Sequence, residues 1–167
     1  MNYFAYGSNM SVARLRARVP SAVSLGCHSL KGHDLRFHKS GRDGSGKCDA
    51  YFTSIEVDVI YGVLFEIDKN EKAALDKIEG LGLGYDEKEI MVTAHDGSLQ
   101  KATTYVASII NANLKPYSWY MNHVLIGAQE ASLPVVYVQQ KIWSVEVIGD
   151  ANKARDAEQR AIHCYTL

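Results

Sequence analysis

Cysteine is too sparse in this sequence to build a scaffold. Cys27, Cys48 and Cys164 are an odd set with no CxxC spacing, which argues against a disulfide framework and a tetrahedral zinc site. Charge of one sign is missing too: 18 Lys and Arg stand against 19 Asp and Glu, for a formal net charge of -1. No global field therefore draws the chain to nucleic acid. No uninterrupted apolar run approaches the roughly 18 to 20 residues that span a bilayer as a helix, so no membrane partner is expected. The opening MNYFAYGSNM lacks the basic flank and long apolar stretch of a secretion signal. It reads as a strand of a mature protein, and the cytoplasm is the expected compartment. Proline is rare, and no Pro- or Ser-rich linker or internal repeat divides the 167 residues. Residues 1–167 are therefore read as a single domain. His28, His33 and His38 recur at intervals of five, which fits no metal template; no metal is expected.

Regular elements can be read from what is present. Tyr3 to Tyr6 is an aromatic, β-favouring run that stops at the turn formers Gly7-Ser8-Asn9. Ser11 can cap a helix running to about Arg18, before Pro20. Strands are predicted over 32–39 and 48–53, separated by a Gly-rich loop at 40–47. Residues 58–67 are nearly continuous in apolar side chains, as in a strand covered on both faces or lining a barrel. Asn70 is a plausible cap for a helix to Glu79 whose apolar stripe is Ala74, Leu75 and Ile78, with Gly80 as its stop. Asp96-Gly97 sits between two extended runs, 87–93 and 100–108, as a hairpin turn. Pro116 can open a helix to about Ala131. Pro134 can start another, and a polar surface helix is predicted as a C-terminal extension over about 150–167. Strands first and helices afterwards make the fold α+β.

One motif nearly matches a phosphate loop. Gly41-Arg42-Asp43-Gly44-Ser45-Gly46-Lys47 is followed by Cys48, which lacks the hydroxyl that coordinates magnesium. The residues after it look extended, whereas a phosphate loop needs a helix there. A polar hairpin or rim loop is the better reading.

Two features carry potential chemistry. The Gly7-Ser8-Asn9 turn ahead of a helix offers backbone N–H groups that can bind a carboxylate or oxyanion, or it is only a tight turn. Glu79 lies at the edge of an apolar helical stripe and beside the helix C-terminus, where burial and the dipole both raise a carboxyl pKa. The alternative is a surface Glu tied to Lys72 or Lys77. Tyr117 and Tyr120 share a helical face, either as core aromatics or with one phenol reaching into a pocket.

These segments resemble the γ-glutamylcyclotransferase family, which includes γ-glutamylamine cyclotransferases and the plant avirulence-induced proteins. Tyr3-Phe4-Ala5-Tyr6-Gly7-Ser8-Asn9-Met10 is similar to its substrate loop. Leu75 to Gly80, followed by Gly84-Tyr85, is similar to the segment bearing its catalytic glutamate. The stretch with Tyr120, Ile126-Gly127-Ala128 and Leu133-Pro134 is similar to its third conserved region. The resemblance implies a small mixed β-barrel flanked by helices, and cyclisation of a γ-glutamyl amino acid or amine to 5-oxoproline without a cofactor. It implies Glu79 as general acid/base, with Tyr6, Gly7, Ser8, Asn9 and Tyr120 on the small-molecule substrate. Arg42 or Lys47 on the rim would favour an acidic leaving group. The rival from another class is a non-catalytic binding or interaction domain that keeps the fold. Oligomeric state, monomer or homodimer, is not encoded in these motifs.

Overall fold

The computed structural model describes residues 1–164. Five strands close into a barrel in the order β1-β5-β2-β6-β7. β1 (Asn2–Ala5) lies antiparallel to β5 (Val59–Glu66), with Tyr3 opposite Phe65. β5 pairs with β2 (Val23–Lys31), which meets β6 (Tyr85–Thr93). β6 and β7 (Leu99–Ala107) form a hairpin from Tyr85 opposite Ala107 to Thr93 opposite Leu99. β7 then runs parallel to β1, with Tyr3 opposite Thr103. That one parallel seam makes the barrel mixed, and Thr104 Oγ1 strengthens it by donating to Phe4 O at 2.9 Å.

β5 is buried from Gly62 to Phe65 without a break, as its unalternating apolar sequence requires. Its Ile60 and Leu64 join Phe4 and Val92 as side chains with no exposure at all. β2 carries no strand signal in the sequence of residues 23–31. Gly26 adopts φ 87° there, and the pairing with β5 slips between Ser24 and Cys27. A bulge of this kind erases the period-two pattern by which a strand is recognised.

β3 (His33–Ser40) and β4 (Gly46–Phe52) form a separate two-stranded ribbon. Buried Asp49 pins it to the barrel, accepting from Ala107 N at 2.7 Å and lying 2.8 Å from His38 Nε2.

The helices begin with α1 (Val12–Arg16), capped by Ser11, whose Oγ accepts from Arg14 N. α2 (Lys72–Glu79) follows a 3₁₀ turn at Lys69–Glu71. Asp68, not the expected Asn70, caps that turn, because its Oδ1 accepts the Asn70 N–H at 2.9 Å. Gly80, at φ 75°, ends α2 in the left-handed conformation glycine tolerates best. α3 (Ser118–Glu130) starts two residues after Pro116 and packs on the 8–10 turn. Gly127 permits this approach, since a Cβ there would sit 2.4 Å from Ser11 N. α4 (Val135–Val138) continues as a π-helical stretch to Trp143.

α5 (Lys153–Ala161), capped by Asn152, buries no residue and is held by polar ties. Gln159 accepts from Arg14 Nη1 and Ser118 Oγ accepts from Arg160, both at 2.7 Å. Asp150, 1% exposed, joins α3 to α5 by accepting from Trp119 Nε1 at 2.8 Å and from Arg155 at 2.6 and 2.7 Å. The part of the predicted C-terminal extension at 165–167 lies outside the described residues.

Candidate active site

α2 delivers Glu79 to one end of the barrel. Of the three residues expected to form its apolar stripe, only Leu75 is buried; Ala74 is exposed and Ile78 is 40% exposed. The inward face therefore continues from Leu75 to the residue four later, Glu79. A carboxylate occupies the position where a core residue would be expected.

The cavity it faces is narrow and open to solvent, about 310 Å³ with its mouth included. The turn contributes Gly7, Ser8 and Asn9, the ribbon contributes Cys48, and Tyr3, Tyr6, Tyr85, Tyr105 and Tyr120 complete the wall. All six residues singled out from the sequence, Tyr6, Gly7, Ser8, Asn9, Glu79 and Tyr120, converge here. Tyr3, Cys48, Tyr85 and Tyr105 were not anticipated. A compositional signal for them existed, since five of the ten tyrosines line this one cavity.

Glu79 is oriented by the turn. Its Oε1 accepts from Asn9 Nδ2 and, at 3.4 Å, from Tyr3 OH. Asn9 cannot rotate its amide the other way without loss, because its Oδ1 accepts from Arg18 Nη1 at 3.1 Å. Among the described residues Glu79 Oε2 makes no hydrogen bond. Burial pushes the Glu79 carboxyl above its ordinary value, and the positive charges of Arg18 and Arg14 oppose that shift without cancelling it. Lys72, its suggested partner in the alternative reading, instead binds Asp76 and Glu87.

The phenols are donors rather than bases. Burial holds Tyr3, Tyr6, Tyr85 and Tyr120 well above the ordinary tyrosine range. Tyr6 and Tyr85 spend their protons on the carbonyls of Tyr105 and Cys48. Tyr120 differs: its oxygen accepts from Cys48 N at 3.0 Å, and its proton faces the Cys48 thiol, a weak acceptor that a ligand oxygen would outcompete. Cys48 is no nucleophile, because burial pushes its thiol up to about 12. Gly7 is required by this crowding, as a Cβ there would stand 2.9 Å from Cys48 Cβ and 3.2 Å from the Tyr120 hydroxyl.

Outside the neck formed by Ser8, Glu79, Tyr85 and Tyr120 lies a wider groove, about 770 Å³ with the solvent space over it included. Its walls include Arg14, Arg18, Lys39, Arg42 and Lys47, with Asp43 and Leu83. The phosphate-loop-like segment is thus the β3–β4 hairpin on the rim. Lys47 lies in β4 and donates to Asp43 at 2.7 Å, with no helix behind it. Among the described residues no group of three His, Cys, Asp or Glu side chains is placed to hold a metal.

The profile of the AIG2-like family matches residues 59–140. The γ-glutamylcyclotransferase of Bos taurus is 32% identical over 149 residues, covering 86% of this chain and 78% of the relative. That of Homo sapiens is 30% identical over the same length and coverage. A solved γ-glutamyl cyclotransferase structure superposes with a TM-score of 0.84 at 25% identity, covering 96% of this chain and 98% of the other.

Proposed function

The chain belongs to the γ-glutamylcyclotransferase family, and from that premise we propose how its own residues carry out the cyclisation. The reaction closes a γ-glutamyl amino acid or amine onto itself and releases 5-oxoproline with the free amino acid or amine. Glu79 is the general acid/base. The observation that carries this assignment is its position: a part-buried carboxyl with a raised pKa, one oxygen fixed by Asn9 and Tyr3 and the other unengaged, at the neck of a tyrosine-walled cavity.

The glutamyl head occupies the inner cavity. The amides at the start of the Ser8–Met10 turn have no acceptor within it, and with Tyr120 they hold the head's carboxylate and carbonyl. Ionised Glu79 takes a proton from the substrate's α-amine. The amine nitrogen then attacks the γ-carbonyl carbon, and the new C–N bond closes a five-membered ring. Negative charge moves onto the carbonyl oxygen, toward fixed donors that need no reorganisation. Protonated Glu79 returns the proton to the departing nitrogen, whose bond to carbon breaks as the carbonyl re-forms. Attack is intramolecular, so much of the acceleration comes from holding the bent conformer. A carboxyl with a raised pKa suits both transfers. Asn9, taken from the motif as a substrate ligand, has its side chain engaged by Glu79 and Arg18; we assign it to aligning the base.

The non-catalytic reading is not favoured. Residues 1–167 serve as one domain, with the C-terminal helix as a brace. Among the described residues no helix is long and apolar enough to cross a membrane, and three unpaired cysteines support the cytoplasm as the place of reaction. The test is 5-oxoproline release from a panel of γ-glutamyl amino acids and amines, with Glu79→Gln as the control. Release by the wild type and its loss in the folded variant are expected; equal turnover by the variant would sink the assignment.

A further inference from the structure

The outer groove carries more positive charge than cyclisation uses. Five cations, Arg14, Arg18, Lys39, Arg42 and Lys47, share it with two carboxyls, Asp43 and Glu79. Lys47, on the groove wall as expected, is answered by Asp43 at 2.7 Å, so the excess charge lies on the other four. Among the described residues the other four cations form no salt bridge. Arg14 has its guanidinium turned to His123 and Gln159, and its buried Nε has no partner. Lys39 is 6% exposed, with its ammonium 4.6 Å from the Tyr85 ring centroid, so its charge is largely removed from water with no carboxylate in ion-pair contact, Glu79 and Asp43 acting on it only across the groove. Arg42 is exposed and makes no hydrogen bond among the described residues, though Gly80 is its neighbour. An excess of charge of one sign around a partly desolvated groove, balanced only at a distance by Glu79, is costly unless a ligand of the other sign completes it.

The direction of the substrate decides what meets these cations. With the glutamyl head in the inner cavity and the scissile amide at Glu79 in the neck, the leaving group lies in the outer groove. A neutral amino acid brings one carboxylate there, an amine none, and glutamate or aspartate two. Resting on the cyclisation mechanism above, we propose that the preferred substrates are γ-glutamyl conjugates of an acidic amino acid, whose second carboxylate is bound by Lys39 and Arg42 with Arg18 behind them. The groove thereby selects against a γ-glutamylamine, whose leaving group carries no carboxylate and, for a diamine, a positive charge.

The decisive pair is γ-glutamyl-glutamate against γ-glutamyl-glutamine, which match in size and differ in one charge. The wild type is expected to favour the acidic conjugate by at least about tenfold in kcat/KM, mostly through KM, with the ratio shrinking as salt is added. Arg42→Gln, at an exposed position, and Lys39→Met should each lower kcat/KM more for the acidic conjugate, bringing the ratio toward one. Thermal melts separate this from unfolding of the buried Lys39 variant. Equal kcat/KM for the pair, or a ratio that neither substitution moves, overturns the inference while leaving cyclisation standing. No 5-oxoproline from any conjugate, neutral conjugates included, overturns both.

Discussion

Glu79 and Asp150 are two carboxyls that this fold removes from water in opposite ways. Asp150 is enclosed by donors: Arg155 binds it with two hydrogen bonds, and Trp119 Nε1 and Asn152 N supply two more. Its hydrogen bonds to Arg155, foremost, hold it well below the usual carboxylate range despite burial. Glu79 has Asn9 and Tyr3 on one oxygen and, among the described residues, no hydrogen bond on the other, so burial prevails and its pKa rises. A satisfied carboxylate is a structural joint with no reason to move a proton. An under-satisfied one is held at higher free energy and is ready to accept a proton.

Exchanging their chemistry should separate the two roles. The largest effect is expected from Glu79→Gln, which should cut kcat by about a thousandfold while the melting temperature holds or rises. A lowered melting temperature with surviving kcat would invert the comparison. Asp150→Asn should do the reverse, lowering Tm by about 5 °C or more with kcat per folded molecule nearly unchanged; a selective loss of kcat would bring Asp150 into the catalytic machinery. Next comes Asn9→Ala, which frees the Glu79 carboxyl to rotate and should cost about tenfold or more in kcat. Tyr120→Phe removes one donor to the substrate, for about tenfold in kcat/KM. Steady-state kinetics beside circular dichroism check both; wild-type values would remove these side chains from the site.

The smallest and most diagnostic difference is in pH dependence. Between the ordinary carboxyl pKa and its raised folded value, Glu79 binds more protons folded than unfolded, so its contribution to stability falls as pH rises through that window. Asp150 is lowered, so its contribution is fully present above the ordinary carboxyl pKa and is lost as pH falls below it. Denaturant unfolding of the wild type against Glu79→Gln and Asp150→Asn should give difference curves of opposite slope. Matching slopes would show that the two sites do not differ as described. The acid limb of kcat/KM should also lie above the ordinary glutamate range.

Elements with strong local signals were legible in the sequence: the continuous apolar run of β5, the Asp96-Gly97 hairpin, Ser11 as a cap and Gly80 as a stop. β2 was not, because the Gly26 bulge breaks its alternation. In the site, Gly7 to Asn9 and Glu79 announce themselves through turn chemistry, helix-end position and family motif. Tyr3, Tyr85 and Tyr105 do not, since each sits in a strand where an aromatic is unremarkable. Only closure of the barrel decides that their rings share a cavity. The outer groove was half legible: Arg42 and Lys47 sit on the rim as anticipated, whereas Lys39 from β3 and the pair Arg14 and Arg18 from α1 and the turn after it are brought there by packing.

The parallel seam between β1 and β7 also sets an order of events. β1 precedes both of its neighbours in the chain, so it gains its first edge only when β5 exists and its second only when Thr103 can pair with Tyr3. The Gly7–Asn9 turn follows directly from β1, so its placement depends on the β6–β7 hairpin that β1 pairs with and on α3, against which the turn packs. Long-range pairings of this kind form late. Closing the barrel is therefore also what sets the turn that follows β1 beside Glu79, the base we propose.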